Sequence, residues 1–402
     1  MGLNIAIVNP VLRTPNIRPS LMMERTRPVP VADLPEINIV ELAQALANLG
    51  NRITVYAAGP FLESNEIRLN NRLTICAVPA RLSWIFNPAV LPFTPSLANC
   101  ARLLEADVVQ GGDFFQFPQF FLSRFAAKNK IPFLVWQEAY KYMRVPGQWF
   151  EQSFDFIAGD SIRTVARKFM LRTTRARDFL LRIGVSPSAI GPWVPTGING
   201  DSFHQRPRAF NSEDFGFPKG CAVVLVASRL SPDKGVDLAI RAIAMLRKKM
   251  NVGLIVRGSG PELGNLKVLV KALGVGQYVR FLGVQSRSEM VNLYNSSDLF
   301  LLASRRDLFP FSLLEAGGCG LPSVSARVGA VEDFVQDGVN GILVQPDSVE
   351  AITMGISRLL RDDKLREELG REAHRRFAED FEMRVVAQRL TKVYQDVAML
   401  QS

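Results

Sequence analysis

The chain of 402 residues is 48% hydrophobic and 21% charged, which supplies two ordinary globular cores and excludes a disordered or fibrous chain. Its formal net charge of +10 favours anionic partners: phosphorylated ligands, anionic lipid or nucleic acid. No apolar run reaches the roughly 18 residues of a membrane span, and His204 and His374, the two histidines, cannot build a zinc site with four cysteines scattered at positions 76, 100, 221 and 319.

Short apolar runs alternate with helical patterns along the chain. Residues 5–8 read as a strand, 37–49 as an amphipathic helix stopped by Gly50, and 52–56 as the next strand. Strand cores are expected at 108–109, 133–136 and 156–157. The second half repeats the rhythm with a strand at 222–227, a helix at 236–250, and strands at 252–256, 279–281, 299–302 and 322–325. Strand–helix alternation implies parallel sheets with crossover helices, and two such halves imply two doubly wound domains. The boundary is expected between 197 and 220, a polar stretch holding Pro207 and Pro218. That gives an N-terminal domain over 1–200, a C-terminal one over 201–380, and a last helix over 381–402 that crosses back to the first domain.

One segment breaks the rhythm. Residues 9–36 are irregular and rich in proline and arginine, and they follow the first strand directly. A loop at the carboxyl end of such a strand lines the ligand crevice of an open α/β sheet, so an acceptor-binding lid and a plain surface excursion are both open readings.

Three phosphate- and sugar-handling signals occur in order between residues 228 and 315. The turn after strand 222–227 is SRLSPDKG, with Ser228, Arg229 and Lys234. Arginine grips phosphate oxygens with a planar fork and lysine supplies a point charge; a solvated charged turn is the bland alternative. Strand 252–256 runs into Arg257-Gly258-Ser259-Gly260-Pro261, where Gly258 and Gly260 permit a tight turn and a close backbone approach. Alone this is an ordinary strand-to-helix turn. Strand 299–302 leads to Asp307 and a helix expected from Ser312, whose open end aims amide hydrogens around Phe311, Ser312 and Leu313 at an anion. Asp307 can reach sugar hydroxyls, and Glu315, one turn into the helix, a ribose diol. Acids decorating a helix dipole are the alternative.

This order of motifs resembles the retaining glycosyltransferases of family four, which have the GT-B fold: two Rossmann-like domains facing each other across a cleft. The stretch EAGGCGLPSVSARVGAVEDFVQDGVNGILVQP and, upstream, WVPTGINGDSFH carry the likeness, which is specific over 195–346. The resemblance implies a nucleotide-diphosphate-sugar donor, UDP- or GDP-linked, and a sugar, lipid-linked or small-molecule acceptor, with no metal or other cofactor. It implies that Arg229 and Lys234 bind the donor pyrophosphate, that Asp307 contacts the transferred sugar, that the amides at Phe311–Leu313 hold phosphate, and that Glu315 binds the ribose. Two positions depart from the family. Asp307 stands where glutamate is usual, and the first domain lacks the histidine many members carry. Gln137 and Glu138 stand in the matching stretch, and Glu138 is the candidate for its role. A GT-B epimerase, a phosphorylase, or a non-catalytic subunit that binds nucleotide are the rival readings.

Residues 163–182 hold Arg163, Arg167, Lys168, Arg172, Arg175, Arg177 and Arg182 against a single Asp178. Lys168, Arg172, Arg175 and Arg182 fall on one face if the stretch is helical, which suits either peripheral contact with an anionic membrane or a solvated helix. With no nucleic-acid module in sight, nucleic acid is not an expected partner. The expected location is the cytoplasm, at or near the inner membrane face.

Overall fold

The computed structural model describes residues 2–9, 29–58, 62–82, 92–142 and 147–399. The chain forms two compact units. One runs to Gly197 and takes up the chain again at Met383; the other spans Ile198–Glu382.

The first unit is built on eight strands: β1 (Asn4–Val8), β2 (Arg52–Ala58), β3 (Glu66–Asn70), β4 (Leu73–Val78), β5 (Val108–Gly111), β6 (Phe133–Gln137), β7 (Ala166–Leu171) and β8 (Ile190–Trp193). Their order is β3-β4-β2-β1-β5-β6-β7-β8, parallel except for the β3–β4 hairpin at one edge. The crossovers include α1 (Asn38–Asn48), α2 (Phe117–Asn129), α3 (Gly147–Phe154), α4 (Asp160–Val165) and α5 (Ala176–Arg182). Alternate residues of each strand feed opposite faces. Ile5, Ile7, Ile53 and Val55 join one core with α1, while Ala6, Val8, Tyr56 and Val109 join the other with α2, α4 and α5.

The second unit carries a six-stranded, wholly parallel sheet: β9 (Ala222–Ala227), β10 (Val252–Arg257), β11 (Val279–Gly283), β12 (Leu299–Leu302), β13 (Ser323–Ala326) and β14 (Gly341–Val344). Both faces of a parallel sheet are covered, so the strands read as nearly continuous apolar runs such as AVVLVA and LFLL. The helices here are α6 (Val236–Leu246), α7 (Leu263–Ala272), α8 (Arg287–Asn295), α9 (Phe311–Gly318), α10 (Val349–Arg361) and α11 (Asp363–Arg376). After Glu382 the chain returns to the first unit as α12 (Met383–Met399), whose Val386, Leu390, Tyr394 and Val397 share a core with α1. Each such fully buried aliphatic side chain stabilises the fold by about 1.5–3 kcal/mol.

The strand order is β11-β10-β9-β12-β13-β14. The chain steps outward from β9 to β10 and β11, then jumps back to lay β12 on the other side of β9. The loops leaving β9 and β12 therefore diverge at their carboxyl ends and open a crevice there, the topological switch point of a doubly wound sheet.

Two expectations are corrected. Phe156 and Ile157 are not a strand; they lie in a π-helical turn, Asp155–Gly159, and are 93% and 77% exposed. The stretch 163–182 is not one helix. It ends α4, forms strand β7 between β6 and β8, and then begins α5, so Lys168, Arg172, Arg175 and Arg182 do not share a helical face. The continuous buried run Phe169-Met170-Leu171 suits a strand that pairs on both sides. Residues after Gly197 belong to the second unit. Arg208 donates to the Ser296 carbonyl at 3.0 Å and pairs with Asp298 at 2.7 Å, which docks them on the second unit. Of the irregular segment 9–36, residues 10–28 lie outside the described residues; Val31–Glu36 form a 3-10 turn ahead of α1.

Candidate functional site

The loop after β9 reads Ser228-Arg229-Leu230-Ser231, then a 3-10 turn at Pro232–Lys234, then Gly235 and α6. Gly235 has φ +63, and a Cβ there would stand 2.0 Å from the Ala303 carbonyl oxygen at the end of β12. Only glycine lets these two loop bases meet. Arg305, just past β12, completes the join. Its backbone amide donates to the Asp233 carbonyl at 2.8 Å, while its guanidinium takes both Asp237 oxygens at 2.8 and 2.7 Å, the Pro232 carbonyl at 2.9 Å and Asp347 at 2.7 Å. This fork-to-carboxylate geometry is the strong form of the ion pair. Burial disfavours the charged form of Asp237, yet the Arg305 bonds outweigh it and hold the carboxyl below its ordinary value.

On this frame Lys234 Nζ lies 2.6 Å from Asp307 Oδ2, both side chains being only 13% exposed. The two residues assigned to phosphate and to sugar are thus direct partners. Arg229 stands at the surface, 51% exposed, its guanidinium 4.0 Å from Asp233. An exposed pair at that distance contributes little, so this fork is held loosely and can turn to a ligand.

The glycine turn after β10 supports the β9 loop. Leu230 N–H donates to Ser259 O at 2.9 Å and Glu262 N–H to Leu230 O at 3.0 Å. A Cβ on Gly258, at φ +131, would stand 1.8 Å from Ser228 O, and one on Gly260 2.2 Å from Leu230 O. The glycines' lack of side chains is thus consumed by contact with the neighbouring loop. Helix α7 begins at Leu263, after Glu262, two residues later than the proline at 261 suggests.

Helix α9 starts at Phe311 behind Pro310, and no side chain caps it. Leu313 N–H turns back to the Pro310 carbonyl at 3.1 Å. The amides of Phe311 and Ser312 are left at the helix mouth, where partial positive charge gathers. Glu315, half-buried one turn in, accepts a 2.7 Å hydrogen bond from the hydroxyl of Tyr294 on α8. The loop after β13 braces the approach: a Cβ on Gly329, at φ +59, would stand 2.2 Å from Asp307 O, and Ala330 N–H donates to Leu308 O at 2.9 Å.

Ser228, Arg229, Lys234, Asp307, Phe311, Ser312 and Glu315 therefore all stand on the loops and helix start at the switch point of the second unit. Glu138 belongs to the first unit, at the end of β6. Its carboxylate pairs with Arg172 at 3.1 Å, each 21% exposed, and its amide donates to Asp113 at 2.6 Å. Arg172 in turn lies over the Trp136 ring at 4.5 Å and donates to Thr196. Gln137 is buried and ties Phe114 N–H to the Ala139 carbonyl. Sequence spacing did not single out Arg305, Asp237 or Tyr294; the double arginine directly after an apolar run was the one visible signal. Among the described residues no three His, Cys, Asp or Glu side chains are grouped to hold a metal, and no helix is long and apolar enough to cross a membrane.

Residues 207–376 match the family of glycosyl transferases group 1. A D-inositol 3-phosphate glycosyltransferase of Saccharomonospora viridis is 29% identical over 60% of this chain and 58% of its own length. A GDP-mannose-dependent alpha-(1-6)-phosphatidylinositol monomannoside mannosyltransferase of Mycolicibacterium smegmatis is 34% identical over 49% of this chain and 53% of its own. The chain spans about half the length of the curated relatives it matches. Among solved structures, the sucrose-phosphate synthase of Thermosynechococcus elongatus superposes with a TM-score of 0.74 at 18% identity, covering 100% of both chains. Anabaena HepE in complex with UDP does so with 0.74 at 16% identity, covering 98% of this chain and 100% of its own. These likenesses establish the fold, GT-B.

Proposed function

We propose that this GT-B chain, whose residues 207–376 belong to the group 1 glycosyltransferases, transfers a sugar from a nucleotide-diphosphate-sugar to an acceptor hydroxyl with retention of configuration. One observation carries the reading. A loose arginine, a lysine, an open helix end and two carboxylates converge at the switch point of a doubly wound sheet.

In the proposed reaction the acceptor oxygen bonds to the anomeric carbon as the carbon–oxygen bond to the diphosphate breaks. The departing diphosphate takes the acceptor proton on one of its own oxygens. Arg229 and Lys234, with the amides of Phe311 and Ser312, meet the negative charge that grows on the leaving group, which is the largest contribution preorganised donors make. Asp307 accepts from hydroxyls of the transferred sugar, and Glu315 from the ribose. The arginine–lysine pair does here what a divalent ion does elsewhere, so no metal is required. Glu138, held by Arg172 at the carboxyl end of β6, is the first unit's candidate for the acceptor side.

The donor is UDP- or GDP-linked. HepE was solved with UDP-glucose, and the mannosyltransferase relative is named for GDP-mannose. The acceptor is a sugar, a small hydroxylated molecule or a lipid-linked glycan, the range spanned by the relatives' names. Contact with an anionic membrane would rest on the exposed Arg167, Arg175, Arg177 and Arg182, and cosedimentation with anionic vesicles tests it.

The Lys234–Asp307 pair favours one second reading, a chain that binds nucleotide diphosphate without transferring a sugar, because each charge already neutralises the other. Incubation with UDP- and GDP-sugars, with and without acceptors, decides. Acceptor-dependent release of free diphosphate and an α-linked product from an α-linked donor support transfer; binding without release supports the second reading.

A further inference from the structure

We infer that Tyr294 is a positioning residue for the donor ribose: its hydroxyl holds the Glu315 carboxylate in the orientation that receives the ribose diol. This rests on the reading of Glu315 given above.

Tyr294 lies on α8 and is wholly buried. Its ring meets Phe203 at 6.1 Å and Phe300 at 6.0 Å, in surroundings where a phenylalanine would pack equally well. A hydroxyl placed in such a core costs stability unless it finds a partner. The partner is Glu315 Oε2, at 2.7 Å across the α8–α9 contact. The bond is charge-assisted and links two helices 21 residues apart in sequence.

Glu315 sits between buried Leu314 and Ala316, one turn inside the open end of α9. A glutamate there has three rotatable bonds, and a donor from a second, rigid helix removes that freedom before a ligand arrives. Such prior ordering raises affinity by cutting the entropy cost of binding. A carboxylate accepts up to about four hydrogen bonds, of which Tyr294 supplies one. Burial, with the neighbouring carboxylate of Glu315 adding to it, keeps the phenol protonated far above its ordinary range, so it remains a donor at any working pH.

The experiment is calorimetric titration of UDP, GDP and their 2′,3′-dideoxy analogues into the full chain, the reference variant Glu315→Gln, and three Tyr294 variants, Tyr294→Phe, Tyr294→Met and Tyr294→Phe/Glu315→Gln. Phenylalanine keeps the ring, and methionine fills the space in another shape, so an effect common to both tracks the hydroxyl. Loss of one bond to a charged group predicts affinity for the preferred diphosphate lower by about tenfold in both single Tyr294 variants. It also predicts unchanged affinity for the dideoxy analogue, and no further loss on adding Tyr294→Phe to Glu315→Gln. Wild-type affinity in the folded single Tyr294 variants overturns the inference while leaving the donor site intact, as does an equal loss for the dideoxy analogue. Failure of the wild-type chain to bind any diphosphate removes the donor reading itself.

Discussion

Lys234 Nζ and Asp307 Oδ2 lie 2.6 Å apart, joining the loop after β9 to the loop after β12 with both side chains largely shielded from water. A shielded charge cannot be left alone cheaply, so each of these groups needs either the other or a ligand. A donor's diphosphate and sugar offer both at once: an anion for the lysine and hydroxyls for the aspartate. On the proposed reading, donor binding exchanges one set of partners for another.

This exchange separates binding from transfer at position 307. In Asp307→Asn the lysine loses the anion it contacts, so the free diphosphate, which carries no sugar, should bind tighter by roughly tenfold. Sugar transfer should fall by about a hundredfold or more. Calorimetry with the diphosphate and initial rates with the nucleotide sugar measure the two. Weaker diphosphate binding in the variant would show that Asp307 serves to position Lys234 rather than to compete for it.

Arg229 and Lys234 should be separable by stability. Each change to alanine should lower turnover by about 10²–10³-fold, the scale for loss of one preorganised donor to a developing charge. Arg229 is half exposed and loosely paired, so its variant should melt within a few degrees of wild type. Lys234→Ala strands Asp307 and should melt lower. Paired thermal melts and rate measurements check this, and normal turnover in both variants would exclude the assignment.

Acid stability should depend on Arg305. The Asp237 carboxyl sits below its ordinary value in the folded chain, the Arg305 bonds exceeding the opposing effect of burial. The unfolded chain therefore binds this proton more tightly. The stabilisation is complete above the ordinary carboxylate pKa of about 3.9 and is lost as pH falls through the lower, folded value. Arg305→Ala should destabilise the chain at pH 7 and show a shallower additional loss in acid, as urea titrations from pH 7 down to 3 would reveal.

Two glycines form a matched pair. Gly258→Ala puts a Cβ 1.8 Å from Ser228 O at φ +131 and should cost about 3 kcal/mol or more, with donor binding lost as the β9 loop shifts. Gly264 lies in α7 with nothing within 4 Å of its Cβ position, and alanine there should stabilise by about 0.5–1 kcal/mol. Denaturant midpoints of the two variants should move in opposite directions.

Much of the second sheet was legible because β9, β10 and β12 are apolar on both faces and each ends at a marked turn. The first sheet was less so. Strand β7 is ARKFML, and its Lys168 with Arg172 just beyond it, four residues on, mimics a helical face; β8 is IGPW, where proline is tolerated only because the strand is at the sheet edge. The pair Phe156 and Ile157 read as buried by residue type, yet the π turn points them at solvent. Spacing placed Arg229, Lys234, Asp307 and Glu315 after strand ends, which is where the structure has them. It could not show that Lys234 meets Asp307 across 73 residues, or that Tyr294 meets Glu315, because those contacts depend on strand order and helix packing.

The most direct test of the donor site is calorimetric titration of UDP and GDP into the folded chain and into the double variant Arg229→Ala/Lys234→Ala. Saturable binding of one diphosphate by the wild type, weakened by about a hundredfold or more in a double variant that still melts cooperatively, is the predicted result. Equal binding by both chains, or none by a folded wild type, would contradict the placement of the diphosphate between the β9 and β12 loops.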